Sequence, residues 1–222
     1  MLYLVPTPIG NLQDITLRAL EVLKNVDLIA CEDTRTSAKL LNNFDIRVPR
    51  TSYHDHNERS KAPQLIAKMK AGQKVALISD AGSPGISDPG FYLVRACIEE
   101  GIQVEALPGA TAIIPALTVS GLPSERFTYE GFLPVKKGRK TRLELLKDEV
   151  RTMVFYESPH RLLKTLTNFE ETFGPDRPAA VVREISKTFE EVQRGSLEVL
   201  KKYFESKNKL RGEFVIVVGG NR

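Results

Sequence analysis

The apolar run Val75-Ala76-Leu77-Ile78 breaks abruptly into Ser79–Gly90, a stretch that holds three glycines (Gly82, Gly85, Gly90) and two prolines (Pro84, Pro89). Four consecutive apolar residues bounded by such a turn read as a strand buried on both faces, which calls for a sheet covered by helices on each side. Two more apolar runs end in the same manner. Leu2–Val5 enters Pro6-Thr7-Pro8-Ile9-Gly10-Asn11, and the strand at Val104–Leu107 enters Pro108-Gly109-Ala110-Thr111. In a parallel sheet these three loops leave the same carboxyl edge, where α/β proteins hold small molecules.

The intervening segments fit this frame. Asp14 is expected to cap a helix with Leu17, Leu20 and Leu23 on one face, and Val26–Cys31 is a strand. Helices follow at Thr34–Asn43, Glu58–Lys70 and Gly90–Glu100, with a brief extended segment near Val48. A helix from Thr111 to Val119 runs out at Ser120-Gly121-Leu122-Pro123-Ser124, read as a hinge dividing domains 1–120 and 121–222. The second half offers strands at Phe127–Phe132, Thr152–Tyr156 and Glu213–Val218, and an antiparallel pair at Ala179–Arg183 and Thr188–Gln193. Helices at Lys140–Glu149, Pro159–Phe173 and Ser196–Lys202 complete it, with Ser158 as a cap and Pro159 in a first turn. The fold class is α/β, with two α/β domains, the second on a mixed sheet.

Charge is unevenly distributed. Residues 1–111 carry 12 Lys and Arg against 13 Asp and Glu, a balance of −1, while residues 112–222 carry 20 against 15, a balance of +5. Within the second half, Lys136, Lys137, Arg139, Lys140 and Arg142 crowd into seven positions, a cluster that attracts a polyanion. No apolar run reaches bilayer length and Met1–Gly10 has no basic leader, so no membrane partner and a cytoplasmic location are expected. Cys31 and Cys97 lie in apolar segments and read as buried thiols. His54 and His56 have no third ligand nearby, so no metal is expected; Tyr53 beside them is a candidate for stacking on a base.

The Ser79–Gly90 loop lacks G-x-G-x-x-G spacing and no Gly-Lys-Ser/Thr follows it. Its side chains, Asp80, Ser83, Ser87 and Asp88, suit hydroxyl and amino groups, so a nucleoside with an amino acid tail fits better than a triphosphate. Glu32, Asp33 and Arg35 stand at the end of a hydrophobic strand, where they either cap the next helix or orient a substrate. Glu157 and His160, near another strand end, face a cleft or decorate its edge. In Arg183-Glu184-Ile185-Ser186-Lys187, strand alternation would leave one face wholly polar, with Glu184 and Lys187 as candidates for proton handling or phosphate orientation. No nucleophile elbow or Ser-His-Asp order is present, so two classes remain open: a cleft enzyme gripping a nucleoside-like cofactor, or a module that binds RNA without chemistry.

Taken together, Leu4–Leu12, Cys31–Arg35, Ser79–Gly90, Leu107–Ala110, Gly121-Leu122-Pro123, Gly131–Pro134, Tyr156–Arg161 and Arg183-Glu184 resemble the ribosomal RNA methyltransferase group of the tetrapyrrole methylase superfamily. The resemblance implies S-adenosylmethionine bound in a cleft between two domains, a homodimer, and methyl transfer to the ribose 2′-hydroxyl of a cytidine in the decoding region of 16S rRNA. By position, Pro8 would line the cofactor site, Ser79, Asp80, Gly82, Ser83, Ser87 and Asp88 would hold its amino acid and ribose parts, and Ala110, Thr111, Phe132 and Leu133 would approach the adenosine. Glu32, Asp33 and Glu184 are the carboxylates available to accept the hydroxyl proton, while Arg35, Arg183 and Lys187 would fix flanking phosphates. Many members of the group extend beyond their last core strand. In this chain, which stops at Arg222, the corresponding RNA contacts fall to Lys136–Arg142 and a partner subunit, with the small ribosomal subunit as acceptor. A small-molecule methyltransferase of the same superfamily is the alternative.

Overall fold

The computed structural model describes residues 1–221 as two compact units, Met1–Thr111 and Ala112 onward. The first unit is built on a parallel five-stranded sheet of β1 (Leu2–Leu4), β2 (Leu28–Cys31), β3 (Arg50–Ser52), β4 (Val75–Ile78) and β5 (Val104–Ala106), in the order β3-β2-β4-β1-β5. Alternation along β4 explains its unbroken apolarity. Val75 and Leu77 enter one core with Leu65, Leu93 and Cys97, whereas Ala76 and Ile78 enter the opposite core with Leu23, Ile29 and Leu41. Helices α3 (Glu58–Lys70) and α4 (Phe91–Glu99) cover the first face; α1 (Leu17–Asn25) and α2 (Thr34–Asn43) cover the second.

Helix α1 begins later than expected. Asp14 ends a 3₁₀ turn at Leu12–Asp14, and Thr16 is the true cap, its Oγ1 accepting the Ala19 N–H at 3.0 Å. That phase buries Ala19 and Leu23 and leaves Leu17 exposed, so the apolar face begins at Ala19 rather than at Leu17. The extended segment near Val48 pairs only from Arg50.

The second unit carries a mixed sheet of β6 (Phe127–Phe132), β7 (Thr152–Glu157), β8 (Pro178–Arg183), β9 (Glu191–Ser196) and β10 (Phe214–Val218), in the order β6-β7-β10-β8-β9. Only β6 and β7 run parallel; β10 is antiparallel to both β7 and β8. Helices α6 (Arg139–Leu146), α7 (Leu162–Phe173) and α8 (Leu197–Glu205) bury Phe155, Phe169, Phe204 and Phe214 against one face. Helix α5 (Ile113–Ser120) packs on β8, β9 and β10, so the division falls after Thr111 rather than at the expected Ser120–Gly121 hinge. Gly121 instead ends α5 in the left-handed conformation.

Three local expectations change. Helix α7 starts at Leu162, and Ser158–Arg161 forms the turn before it, because the Ser158 N–H and hydroxyl are held by Glu157. Strand β8 ends at Arg183, and Glu184 and Ser186 adopt positive φ of 51° and 66°, so alternation does not continue through them. Tyr53 is fully buried among Leu65, Leu77 and Leu93 and offers no face for a base.

Candidate active site

The loops after β1, β4 and β5 meet at the carboxyl edge of the first sheet. Thr7 and Gly82 exchange backbone bonds as an isolated antiparallel rung, Thr7 N–H to Gly82 O at 2.9 Å and Gly82 N–H to Thr7 O at 3.0 Å. The Thr7 hydroxyl donates to Ser79 O at 3.1 Å, and the Ser83 hydroxyl donates to Ala110 O at 3.3 Å. Gly109 lies so close to Pro6 that an added Cβ would stand 2.6 Å from the Pro6 Cβ. Gly90, the residue before α4, is similarly confined, since a Cβ there would meet the Gly85 backbone at 3.0 Å. Hydrogen bonds and close backbone packing thus lock three turns of separate strands into one shelf. Thr7 was not singled out in the sequence; a threonine between two prolines was its only signal.

Carboxylates gather at this shelf. Asp88, half-buried below Ser79, has a pKa pushed up to about 6 by burial and then by Glu32, Asp80 and Asp55, against a hydrogen bond from Ser79 that lowers it. Glu32 is raised by burial and by the charge of Asp80, and Asp80 by desolvation and Asp33. Among the described residues none of the three takes part in an ion pair. Asp33 behaves differently. It caps α2 through the Arg35 N–H at 2.8 Å and grips the Arg35 guanidinium with both oxygens, which lowers its pKa to about 2. Its own N–H reaches Asp80 Oδ1 at 3.1 Å, joining the β2 and β4 exits. A cavity of about 250 Å³ opens between this edge and α2, with Pro8, Ser79 and Asp80 on one wall and Leu40 and Asn43 on the other.

Most of the expected cofactor residues, Pro8, Ser79, Asp80, Gly82, Ser83, Ser87, Asp88, Ala110 and Thr111, therefore lie on the shelf or its loops, together with Glu32, Asp33 and Arg35. The remainder belong to the second unit. Phe132 ends β6 with its ring exposed against Tyr156 at 5.6 Å, whereas the Leu133 side chain is buried in the core and its carbonyl accepts Arg161 Nη2 at 2.6 Å. Only the backbone of Leu133 is left for a ligand. Glu184 accepts from Lys187 Nζ at 3.0 Å and from the Glu213 N–H at 2.9 Å. Those bonds outweigh its partial burial and lower its pKa, while Lys187 also bonds Glu213. Arg183 is spent on Arg211 O at 2.7 Å and on Glu191. These side chains brace the β8–β10 edge, so their geometry argues against proton transfer or phosphate capture.

Two arginines of the basic run are also committed. Arg139 is buried, with Nε on Asn168 Oδ1 at 2.9 Å, Nη2 on Thr165 Oγ1 at 2.7 Å and Nη1 on Pro134 O at 3.4 Å. A guanidinium so enclosed is withdrawn from any phosphate. Arg142 is clamped by Glu130, whose side chain is almost wholly buried. Lys136, Lys137 and Lys140 stay exposed. Glu157 is buried as well, accepting from Thr165 at 2.5 Å and facing Arg161 at 3.2 Å, which makes it a core anchor rather than a cleft residue.

The three-loop shelf at a parallel-sheet edge, followed by a mixed-sheet unit, defines a methylase of the tetrapyrrole type, and the model of the Tetrapyrrole (Corrin/Porphyrin) Methylases matches residues 1–201. Among solved structures, diphthine synthase superposes with a TM-score of 0.76 at 15% identity over 98% of this chain and 89% of that one. Cobalt precorrin-4 methyltransferase gives 0.70 at 19% over 98% and 94%. Uroporphyrin-III C-methyltransferase of Thermus thermophilus, in complex with S-adenosyl homocysteine, gives 0.64 at 20% over 98% and 96%. At those identities the likeness is one of fold. Sequence relatives are far nearer: the ribosomal RNA small subunit methyltransferases I of Synechocystis sp. and Haemophilus influenzae are each 52% identical, over 99% of this chain and 79% and 78% of theirs. The chain belongs to the tetrapyrrole methylase family, and within it to the ribosomal RNA small subunit methyltransferase I group.

Proposed function

We infer that the shelf is the S-adenosylmethionine site of an enzyme that methylates the ribose 2′-hydroxyl of a cytidine in the decoding region of 16S rRNA. The observation that carries this reading is the set of carboxylates without ion-pair partners, Glu32, Asp80 and Asp88, on three mutually braced loops. Burial first, and then neighbouring carboxylates, raises their pKa values; a ligand with an ammonium and a sulfonium centre would meet Asp80 and Asp88, while Glu32 stands beside it. Asp80 and Asp88, with Ser79 and Ser83, supply acceptors for its amino and hydroxyl groups, and positive φ at Gly82 and Gly85 opens the backbone between them. When bound, that ligand supplies an electrophilic methyl group and a neutral thioether leaving group.

The chain's own part is to orient the ribose and take its proton. Glu32 is the proposed acceptor: its pKa is raised toward the working range, whereas Asp33 is held near 2 and Glu184 is tied to Lys187. Asp33 positions instead of reacting, capping α2 and donating its N–H to Asp80. The nearby cavity, smaller than a drug-sized pocket, admits part of a nucleoside at a time. Arg35, largely exposed beyond Asp33, is placed to meet a phosphate flanking the target.

The protein works in the cytoplasm on this reading, since small ribosomal subunits are its acceptor. It acts as a homodimer, for which α4 offers a surface: Phe91 and Ile98, one face apart by seven residues, are 72% and 66% exposed. No helix among the described residues is long and apolar enough to cross a membrane.

The test uses undermethylated small subunits, isotope-labelled S-adenosylmethionine and mass analysis of digested 16S rRNA. The native protein should label one cytidine on its 2′-oxygen. Glu32→Gln should lower kcat by about 10²- to 10⁴-fold, the usual worth of a general base, with cofactor affinity by calorimetry little changed. Unlabelled 16S rRNA with the native protein would overturn the reading, and an unaffected Glu32→Gln would reassign the proton.

A further inference from the structure

A groove of about 480 Å³ in the second unit lies between α6 and α7, and none of the side chains assigned above to the cofactor lines it. Its charged lining consists of Lys136, Lys140, Lys147 and Lys164 with Glu144, Glu171 and the buried Arg139. All four lysines are exposed, and none forms an ion pair. Elsewhere lysines 70, 187, 201, 202 and 207 do find carboxylates. Unneutralised lysines converging from two helices cost self-repulsion, which an anion in the groove relieves.

The groove is also held rigid, by buried charge. Arg139 ties α6 to Thr165 and Asn168 of α7 and to Pro134 O of the preceding loop. Thr165 passes the connection to Glu157, and Glu157 to Arg161, which returns to the loop at Leu133 O. Burying a guanidinium is costly unless every donor is engaged, and here the engaged donors set the spacing of the two lysine-bearing helices.

We propose that this groove is the docking track for the rRNA backbone, with Lys147 and Lys164 as phosphate contacts beyond the basic run and Arg139 as the positioning residue that holds the track open. The proposal deepens the rRNA reading and rests on it. RNA is favoured over an acidic protein because the lining is lysine-rich and has no aromatic anchor, whereas protein interfaces are depleted in lysine and anchored by aromatic residues. Lysine contacts to phosphate give register and affinity without base readout.

The experiment compares Lys147→Gln/Lys164→Gln with Lys24→Gln/Lys68→Gln, two exposed lysines of the first unit, in the full chain. Binding to naked 16S rRNA is measured across a salt series, alongside kcat and KM on small subunits and S-adenosylmethionine affinity. The groove pair should raise KM about tenfold and flatten the log–log salt slope by about 1.4 to 1.8, with kcat and cofactor affinity retained; the control pair should leave all four unchanged. An unaltered slope, or equal effects from the control pair, overturns the proposal. So does weakened binding to intact subunits with an unaltered slope on naked rRNA, which would place a ribosomal protein in the groove. Failure of the rRNA reading itself would show separately, as native protein that leaves 16S rRNA unlabelled.

Discussion

At the residue scale, one carboxylate type serves three purposes in this chain, and its surroundings decide which. Asp33, held by two oxygens against Arg35, is a fixed anion; Glu157, enclosed by Thr165 and Arg161, is a core anchor; Asp88 is left to titrate. The last has a measurable consequence for the ligand-free protein. A carboxyl whose folded pKa is about 6, above its ordinary value, binds more protons folded than unfolded across roughly pH 4 to 6, so its contribution to stability is lost as pH rises through that window. Asp88→Asn should therefore stabilise the ligand-free protein at pH 7.5, by about 1 kcal/mol after allowance for its partial exposure, with no gain at pH 4. Thermal melts at the two pH values check this; equal shifts at both would show that the effect is not ionic. Composition revealed the acidic loops but not these distinctions. Arg139 and Arg142 look like their lysine neighbours in the sequence, and only tertiary partners elsewhere along the chain, Thr165, Asn168 and Glu130, withdraw them from the set of unpaired basic side chains.

At the scale of elements, turns govern the site more than helices or strands do. The helix boundaries at Thr34–Asn43 and Glu58–Lys70 and the strand at Phe127–Phe132 were legible, the first from its Asp33 cap and the second from Gly72 just beyond its end. The start of α7 was not, because the Ser158 hydroxyl turns to donate to Glu157 and the helix begins only after a turn, with Arg161 before its first residue. The positive φ of Glu184 was equally hidden, since nothing local to a glutamate announces it. The loop shelf makes a sharper claim. Gly90→Ala would drive a methyl against the Gly85 backbone and Leu77, so the turn must open or α4 must shift. We expect a loss of about 1 to 3 kcal/mol in chemical denaturation, together with a weakening of cofactor binding larger than that of Gly72→Ala, where an added methyl meets nothing. Gly72 also has positive φ, so the pair separates crowding from backbone preference.

At the scale of the whole molecule, each unit has cores of its own. Those of the first are divided by its sheet, and the large aromatic cluster of Phe155, Phe169, Phe173, Phe204 and Phe214 lies wholly in the second. Phe169→Ala should cost about 3 to 5 kcal/mol and speed amide exchange in α7, α8 and β10 while β1 and β4 keep their protection. Uniform acceleration in both units would mean that they unfold as one. The class of fold and the sheet edge carrying the site were readable from three strand-to-loop transitions, but the division between units was not. Gly121 looks like a hinge from its neighbours, yet α5 before it is held by β8, β9 and β10, which arrive some sixty and more residues later.

The burial of Arg139 has one last consequence. A guanidinium keeps its proton at any pH the protein survives, so the direct bonds of Arg139 between α6 and α7 do not depend on its own titration, while the carboxylates after β2 and β4 do titrate. Acidity should govern how fast a docked substrate reacts, and ionic strength how often one docks, so a cell could adjust either without disturbing the other.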